Sequence, residues 1–226
     1  MPHRIRSPSN GPSRAGLFAV LIANIKGGCG KTTIATHLAA AFAGAGHVTV
    51  LADADRQRSS LAWLERRPAT AAAVIGADWS REFDRVSRHT SRLVIDAPAA
   101  LKGKQIEELV RLCDVIIAPV LPGAFDEAAT RRFLDKLEEL KPIARNKKGV
   151  AVIGNRLRAR TRAAERLDQF LDGVGHKVVT RLRDSQFYPE TASNGTSLFD
   201  IKGKRIIEAR EDWLPLLEFI TNSVGE

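Results

Sequence analysis

Residues 26–33 read Lys26-Gly27-Gly28-Cys29-Gly30-Lys31-Thr32-Thr33, between an apolar run at 17–23 and a stretch of helical period. Strand, glycine-rich turn and helix in that order make a phosphate cradle. Gly27, Gly28 and Gly30 tolerate φ/ψ values that turn backbone N–H groups inward, and the helix that follows offers unpaired N–H groups and a positive dipole to an anion. Lys31 adds a point charge for β- and γ-phosphates, and the Thr32 hydroxyl can ligate Mg²⁺. The usual phosphate-loop pattern has Gly at position 25. Here Ile25 stands there, and a second lysine, Lys26, precedes the glycines.

Outward from the loop, apolar runs alternate with helical periodicities. Ile34, Leu38, Ala41, Phe42 and Ala45 share one helical face that stops near Gly46. A strand at 48–52 ends in Asp53-Ala54-Asp55-Arg56-Gln57, and a second apolar run closes on Asp96. Further on come a helix with Ile106, Leu109, Val110 and Cys113 on one face, a strand at 115–120, and a helix carrying Ala129, Phe133, Leu137 and Leu140 that Pro142 should terminate. A strand at 150–154 leads into Asn155-Arg156, a short strand spans 177–182, and a last helical region at 205–224 should kink at Pro215. The pattern predicts an α/β fold: one domain, 17–226, with a doubly wound, mostly parallel sheet and helices on both faces, after a flexible basic tail at 1–16. Open sheets of this kind bind ligands at the carboxyl ends of their strands, where Asp53, Asp55 and Asp96 fall.

A chain of 226 residues, 44% hydrophobic, can bury a sizeable single core. Its formal net charge of +9 makes a polyanionic partner plausible. Cys29 and Cys113 form no CxxC pair and no disulfide framework, which points to a reducing cytoplasm. No segment reaches the roughly eighteen apolar residues of a membrane span.

The combination of Lys26 with Gly27-Gly28-Cys29-Gly30-Lys31-Thr32-Thr33 resembles the deviant Walker A motif of the ParA/MinD family of dimeric ATPases. The resemblance is sharp in this loop, good at Asp53-Ala54-Asp55-Arg56-Gln57 and at Asp96, and looser beyond Pro122. It implies ATP and Mg²⁺ as cofactors and a homodimer formed with ATP, in which Lys26 reaches the partner subunit's nucleotide. It implies that Thr32, Asp53 and Asp96 serve the metal, the aspartates through water, and that Lys26, Lys31 and Asp55 are catalytic, Asp55 orienting the attacking water. Asn155 and Arg156 match a position that touches adenine in relatives, and Leu182-Arg183-Asp184 lies where a loop closes over the base. Relatives often carry Pro where this chain has Arg56 and Ala99, so both loops should be less stiff.

What such ATPases bind besides nucleotide differs within the family. The segment Trp213-Leu214-Pro215-Leu216-Leu217-Glu218-Phe219-Ile220 lacks the basic residues of a MinD-like membrane helix, so no membrane is expected. Arginines instead concentrate at Arg156, Arg158, Arg160 and Arg162, with Lys202, Lys204 and Arg205 further on. Without interleaved aromatics or a base-reading helix, that surface suits nonspecific binding to the DNA backbone. Arg81, Arg85 and Arg88 are spaced as one helical face of a different surface.

The resemblance therefore implies a cytoplasmic, nucleoid-associated ATPase that partitions or positions a cargo: a plasmid, a chromosome origin or a protein organelle such as a carboxysome. Hydrolysis should be slow until a ParB-type or cargo-adaptor activator intervenes. The alternatives are a MinD-like membrane regulator, a metabolic P-loop enzyme, which would need a further substrate domain, and an electron-transfer ATPase resembling the nitrogenase iron protein. The last needs two available cluster cysteines, whereas Cys29 lies within the loop and Cys113 on an apolar helix face.

Overall fold

A computed structural model describes residues 16–101, 103–145 and 147–224. All but the last residue of the tail expected at 1–16 lies outside them. Seven strands, β1 (Phe18–Ile22), β2 (Thr49–Asp53), β3 (Ile75–Asp78), β4 (Arg92–Asp96), β5 (Val115–Val120), β6 (Gly149–Leu157) and β7 (Lys177–Arg183), form one sheet in the order β3-β2-β4-β1-β5-β6-β7. Every pairing in it is parallel. The central strands are apolar throughout because helices cover both sheet faces. In β1, Ala19 and Leu21 enter one core, and Phe18, Val20 and Ile22 enter the other.

The first core receives Ile106, Leu109 and Val110 of α3 (Gly103–Leu112), Phe133, Leu134 and Leu137 of α4 (Ala124–Glu138), and Leu167 and Leu171 of α6 (Arg162–Asp172). Between α4 and β6 stands the short α5 (Lys141–Ala144). The opposite core receives Ile34 and Leu38 of α1 (Lys31–Gly44), Trp63 of α2 (Ser59–Glu65), Tyr188 of α7 (Phe187–Ser193), Ile206 of α8 (Lys204–Glu211), and Leu216 and Ile220 of α9 (Leu214–Ser223).

Several sequence expectations need correction. Pro142 does not end α4: that helix stops at Glu138, and Pro142 sits in the first turn of α5. Pro215 likewise opens α9 rather than kinking one long helix, and Asp212-Trp213 separate α8 from α9. A first-turn proline forfeits no helical hydrogen bond, so both act as starts. The segment of Arg81, Arg85 and Arg88 is not helical. Asp78, Asp84 and Ser87 side chains accept nearby backbone N–H groups there, which competes with a helix, and Trp79 and Phe83 pin the segment to the core with ring centroids 5.7 Å apart.

The helix that follows β2 is fastened to the C-terminal layer. Trp63 Nε1 donates to the Thr196 carbonyl at 3.0 Å, and Arg67 makes a paired contact with the Asp200 carboxylate, 2.9 Å at each nitrogen. The Arg67 guanidinium also lies 4.9 Å from the Trp63 ring centroid. Burial alone would raise the Asp200 pKa, but hydrogen bonds from Arg67 and Ser197 outweigh it and hold the carboxyl below its usual range. Arg67→Ala would strand a buried charge, and we expect a loss of about 3 kcal/mol at neutral pH. With its folded pKa depressed, Asp200 stabilises the fold above roughly pH 4, and that contribution disappears as pH falls through the folded value. Urea titrations should show the difference between wild type and Arg67→Ala narrowing below about pH 4; a difference independent of pH would contradict the ion-pair account.

Candidate functional site

Strand register gathers the sequence-predicted residues. Asp96 at the end of β4 is the lateral partner of Ile22 in β1 and of Asp53 in β2. The glycine-rich loop leaves β1 beside both carboxylates and enters α1. Gly28 and Gly30 have φ of 78° and 96°, in the left-handed region that favours glycine. A Cβ on Gly30 would lie 2.2 Å from Asn155 Nδ2, so glycine is required for space as well. Among the described residues no side chain caps the start of α1, and no acidic residue occupies its first turn, which leaves its N–H groups for an anion.

The loop is held in place by its own polar groups. Asn24 is fully buried; its amide donates to the Pro119 carbonyl and to Thr130 Oγ1, both at 2.8 Å, and its Oδ1 accepts Lys26 N–H at 3.1 Å. Asn155 Nδ2 donates to the Cys29 carbonyl at 2.8 Å. The Lys31 ammonium folds inward, donating to the Lys26 carbonyl at 3.1 Å, and the Cys29 thiol donates to that same carbonyl at 3.3 Å. Burial raises the thiol pKa. Cys29 is therefore a packed neutral side chain in this loop.

The carboxylates have distinct surroundings. Both Asp53 oxygens accept backbone N–H groups: Oδ1 from Asp55 at 3.0 Å, Oδ2 from Ser60 at 2.8 Å and Leu61 at 3.2 Å. Asp53 thus fixes the following turn and sits at the start of α2. Asp55, half-buried, accepts Gln57 N–H at 2.9 Å. Asp96 Oδ2 accepts the Ser60 hydroxyl at 2.5 Å, whereas its Oδ1 is buried with no partner among the described residues. Burial pushes the Asp96 pKa up to about 7, opposed by the Ser60 and Thr32 hydroxyls and the Lys31 charge and reinforced by Asp53. An orphaned carboxylate oxygen next to a threonine hydroxyl, beneath an open helix N-terminus, is a donor set that fits Mg²⁺, which takes few protein oxygens and completes its shell with water and phosphate.

The family model that describes the CobQ/CobB/MinD/ParA nucleotide binding domain matches residues 20–198. The chain belongs to this family. It is 28% identical over 191 residues to maintenance of carboxysome distribution protein A of Halothiobacillus neapolitanus, a match spanning 81% of this chain and 88% of that protein. The structure of a Cyanothece McdA variant in complex with ATP superposes with a TM-score of 0.71 at 16% identity, covering 93% of this chain and 97% of that one. The septum site-determining protein MinD of Pyrococcus horikoshii, complexed with Mg-ADP, gives 0.67 at 16% identity, covering 92% and 98%. These superpositions agree with the doubly wound, mostly parallel sheet expected from the sequence, which the structure builds from seven parallel strands.

In this ParA/MinD-type chain the loop from Lys26 to Thr33, Asp53, Asp55, Asp96 and Asn155 meet at the carboxyl ends of the strands, and Leu182-Arg183-Asp184 close β7 at that same end, Arg183 being the lateral partner of Leu157 in β6. Leu182 is buried in the core, Arg183 pairs with Asp212, and Asp184 pairs with Arg158. Asn155 is tied to the phosphate loop, and its Oδ1 accepts Arg156 N–H at 2.9 Å. Of the expected DNA-contact residues only Arg162 lies on α6; Arg156, near the end of β6, and Arg160, in the turn before α6, have φ of 53° and 62°. Sequence reasoning missed Asn24, Ser60 and Thr130. Asn24 left one signal, a polar residue closing an apolar strand; Ser60 and Thr130 left none.

The Asp96 carboxylate makes a stability prediction. A carboxyl whose folded pKa is raised contributes stability that is fully present below its unfolded value and lost as pH rises through about 7. In nucleotide-free, metal-free protein, Asp96→Asn should therefore be more stable than wild type at pH 8, by about 2–4 kcal/mol, with the gain fading towards roughly pH 4. Urea unfolding at a series of pH values measures it. Equal stabilities at pH 8 would mean that the carboxylate is not desolvated.

Proposed function

We propose that this protein is a ParA-type ATPase that positions an intracellular cargo. Its ATP-bound form is a homodimer that binds nucleoid DNA without regard to sequence, and a partner protein stimulates the hydrolysis that releases it. The observation that carries the reading is the convergence of Lys26 and Lys31 on one loop, at an uncapped helix start beside the orphaned Asp96 oxygen. Loop N–H groups from Gly27 to Thr33 and the Lys31 ammonium would hold the phosphates, Lys31 exchanging the Lys26 carbonyl for a phosphate oxygen. Thr32 and Asp96 would hold Mg²⁺, which neutralises charge on the β- and γ-phosphates. Asp53 serves that metal indirectly, by fixing Ser60 and Asp55, and Asp55 orients water. Lys26 serves the partner subunit's nucleotide. The carboxysome-distribution relative favours a protein organelle as cargo, with a plasmid or chromosome origin as the other members of the class.

The C-terminal layer supports a DNA partner over a membrane. In α9, Leu216 and Ile220 are buried in the core, so the apolar face of that helix is already used. Arg156, Arg160, Arg162, Lys202, Lys204 and Arg205 are exposed, and no helix among the described residues is long and apolar enough to cross a membrane.

Nucleotide-dependent assembly tests the catalytic assignment. Lys31→Ala should abolish ATP binding. Lys26→Ala should bind ATP but fail to dimerise or turn over, and Asp55→Ala should accumulate as an ATP-bound dimer. Size-exclusion chromatography with ATP, paired with phosphate release, reads all three. Wild-type behaviour of Lys26→Ala would defeat the trans-acting lysine. Turnover of the isolated wild type should rise about 10³-fold or more when an activator completes the site.

DNA binding is tested separately by fluorescence anisotropy on random duplexes in ATP and in ADP. If the dimer neutralises about six phosphates, the slope of log K against log salt should be near −5 in ATP and much shallower in ADP. Arg160→Glu with Arg162→Glu should weaken all sequences alike and leave dimerisation intact. Equal affinity in both nucleotides would remove the ATP switch.

A further inference from the structure

Ser60 joins the two buried carboxylates, and no feature of the phosphate-loop motif requires it. Its N–H donates to Asp53 Oδ2 at 2.8 Å and its hydroxyl to Asp96 Oδ2 at 2.5 Å. The residue is fully buried in the first turn of α2, the helix that Trp63 and Arg67 fasten to the C-terminal layer. Ser60 is thus carried on an anchored element. It satisfies one oxygen of Asp96 and leaves the other, Oδ1, as the orphan.

We propose that Ser60 is a positioning residue for the metal: its hydroxyl fixes the rotation of the Asp96 carboxyl, so that Oδ1 is presented beside Thr32 to the Mg²⁺ shell. The inference rests on the nucleotide-site reading above. A carboxyl torsion is intrinsically broad, so a single hydrogen bond to one oxygen decides which oxygen remains for the metal. A hydroxyl-to-carboxylate bond is charge-assisted, and at 2.5 Å it is at the short end of that class. Alanine at this position would keep the backbone bond to Asp53 and remove only the hydroxyl. The Asp96 carboxyl would then lose its fixed orientation while α2 stays in place. Loss of an outer-shell hydrogen bond of this kind typically weakens metal affinity by about 10- to 100-fold.

The test uses the full chain with Mn²⁺ as a paramagnetic probe in the presence of saturating ATPγS, and reads free Mn²⁺ by electron paramagnetic resonance. Ser60→Ala should raise the Mn²⁺ dissociation constant about tenfold or more. Affinity for a fluorescent ATP analogue in EDTA should stay at the wild-type value, because the phosphate loop itself is untouched. Ser60→Thr, which keeps the hydroxyl, should restore Mn²⁺ binding. A purely structural serine would instead lower thermal stability and both affinities together. Wild-type Mn²⁺ affinity in Ser60→Ala, or a loss that Ser60→Thr does not recover, overturns the proposal. If wild type itself binds no Mn²⁺ with nucleotide, the nucleotide-site reading falls and the role of Ser60 falls with it, an outcome distinct from failure of Ser60→Ala alone.

Discussion

Two buried carboxylates, Asp53 and Asp96, stand side by side at the ends of adjacent parallel strands, and their surroundings are arranged to compensate that charge. Asp53 takes the backbone N–H groups at the start of α2, where the helix dipole favours an anion. Asp96 receives the Ser60 hydroxyl and lies within the influence of the Thr32 hydroxyl and the Lys31 charge, yet burial still lifts its pKa to about 7. An ionised Asp96 therefore carries an electrostatic cost. A divalent cation relieves it, and by linkage whatever relieves a cost only in the folded state also stabilises that state.

Legibility in the sequence followed burial. Strands β1, β2, β4, β5 and β6 are readable because strands covered on both faces become continuous apolar runs, whereas β7, an edge strand only partly buried, is legible as a short Val178-Val179 run. The edge strand β3 is not: Gly76 interrupts it and Ile75 is exposed. A Cβ at Gly76 would come within 2.9 Å of the Leu61 and Leu64 methyls on α2, which would have to shift, a contact invisible without the neighbour. The loop and the three aspartates were legible because strand ends announce them. Asn24 and Ser60 act on partners far along the chain, Thr130 and Asp96, and no spacing rule links such pairs. The resemblance marks Asn155 as an adenine contact, and its amide also holds the Cys29 carbonyl, a role only the folded loop reveals.

Behind the loop, α1 rests on a dry aromatic cluster. His37 stacks on Trp213 with ring centroids 5.1 Å apart, and meets Tyr188 edge-on at 5.3 Å. Because the Thr33 carbonyl can only accept, the contact at 2.8 Å assigns the proton to Nδ1, and burial lowers the His37 pKa to about 4. The ring is therefore neutral at physiological pH. Trp213 Nε1 donates to the Tyr188 hydroxyl at 3.1 Å, so the indole of this layer is paired as well. The phosphate-binding end of α1 is thus backed by rings that neither titrate nor hydrate in the working range, which suits a helix whose uncapped start must stay aimed.

The basic surface obeys the opposite logic. Arg158 pairs with Asp184 at 2.7 Å and Arg183 with Asp212 at 2.6 Å, in contacts open to solvent on the arginine side. An exposed single-contact pair such as Arg158–Asp184 contributes about 0–1 kcal/mol, so giving it up costs the fold little, whereas Arg183 is held by two side-chain bonds and one backbone bond to Asp212. Arg156 and Arg160, both in the left-handed region, are placed by the backbone geometry of the turn. Such residues hold their positions at a cost of order 1 kcal/mol each, met by the surrounding β6–α6 turn. Exposed pairs and fixed turns together give a surface whose charge is available to a polyanion without rearranging the core, while the buried bonds of Asn24, Asn155 and Asp53 keep the phosphate loop in register.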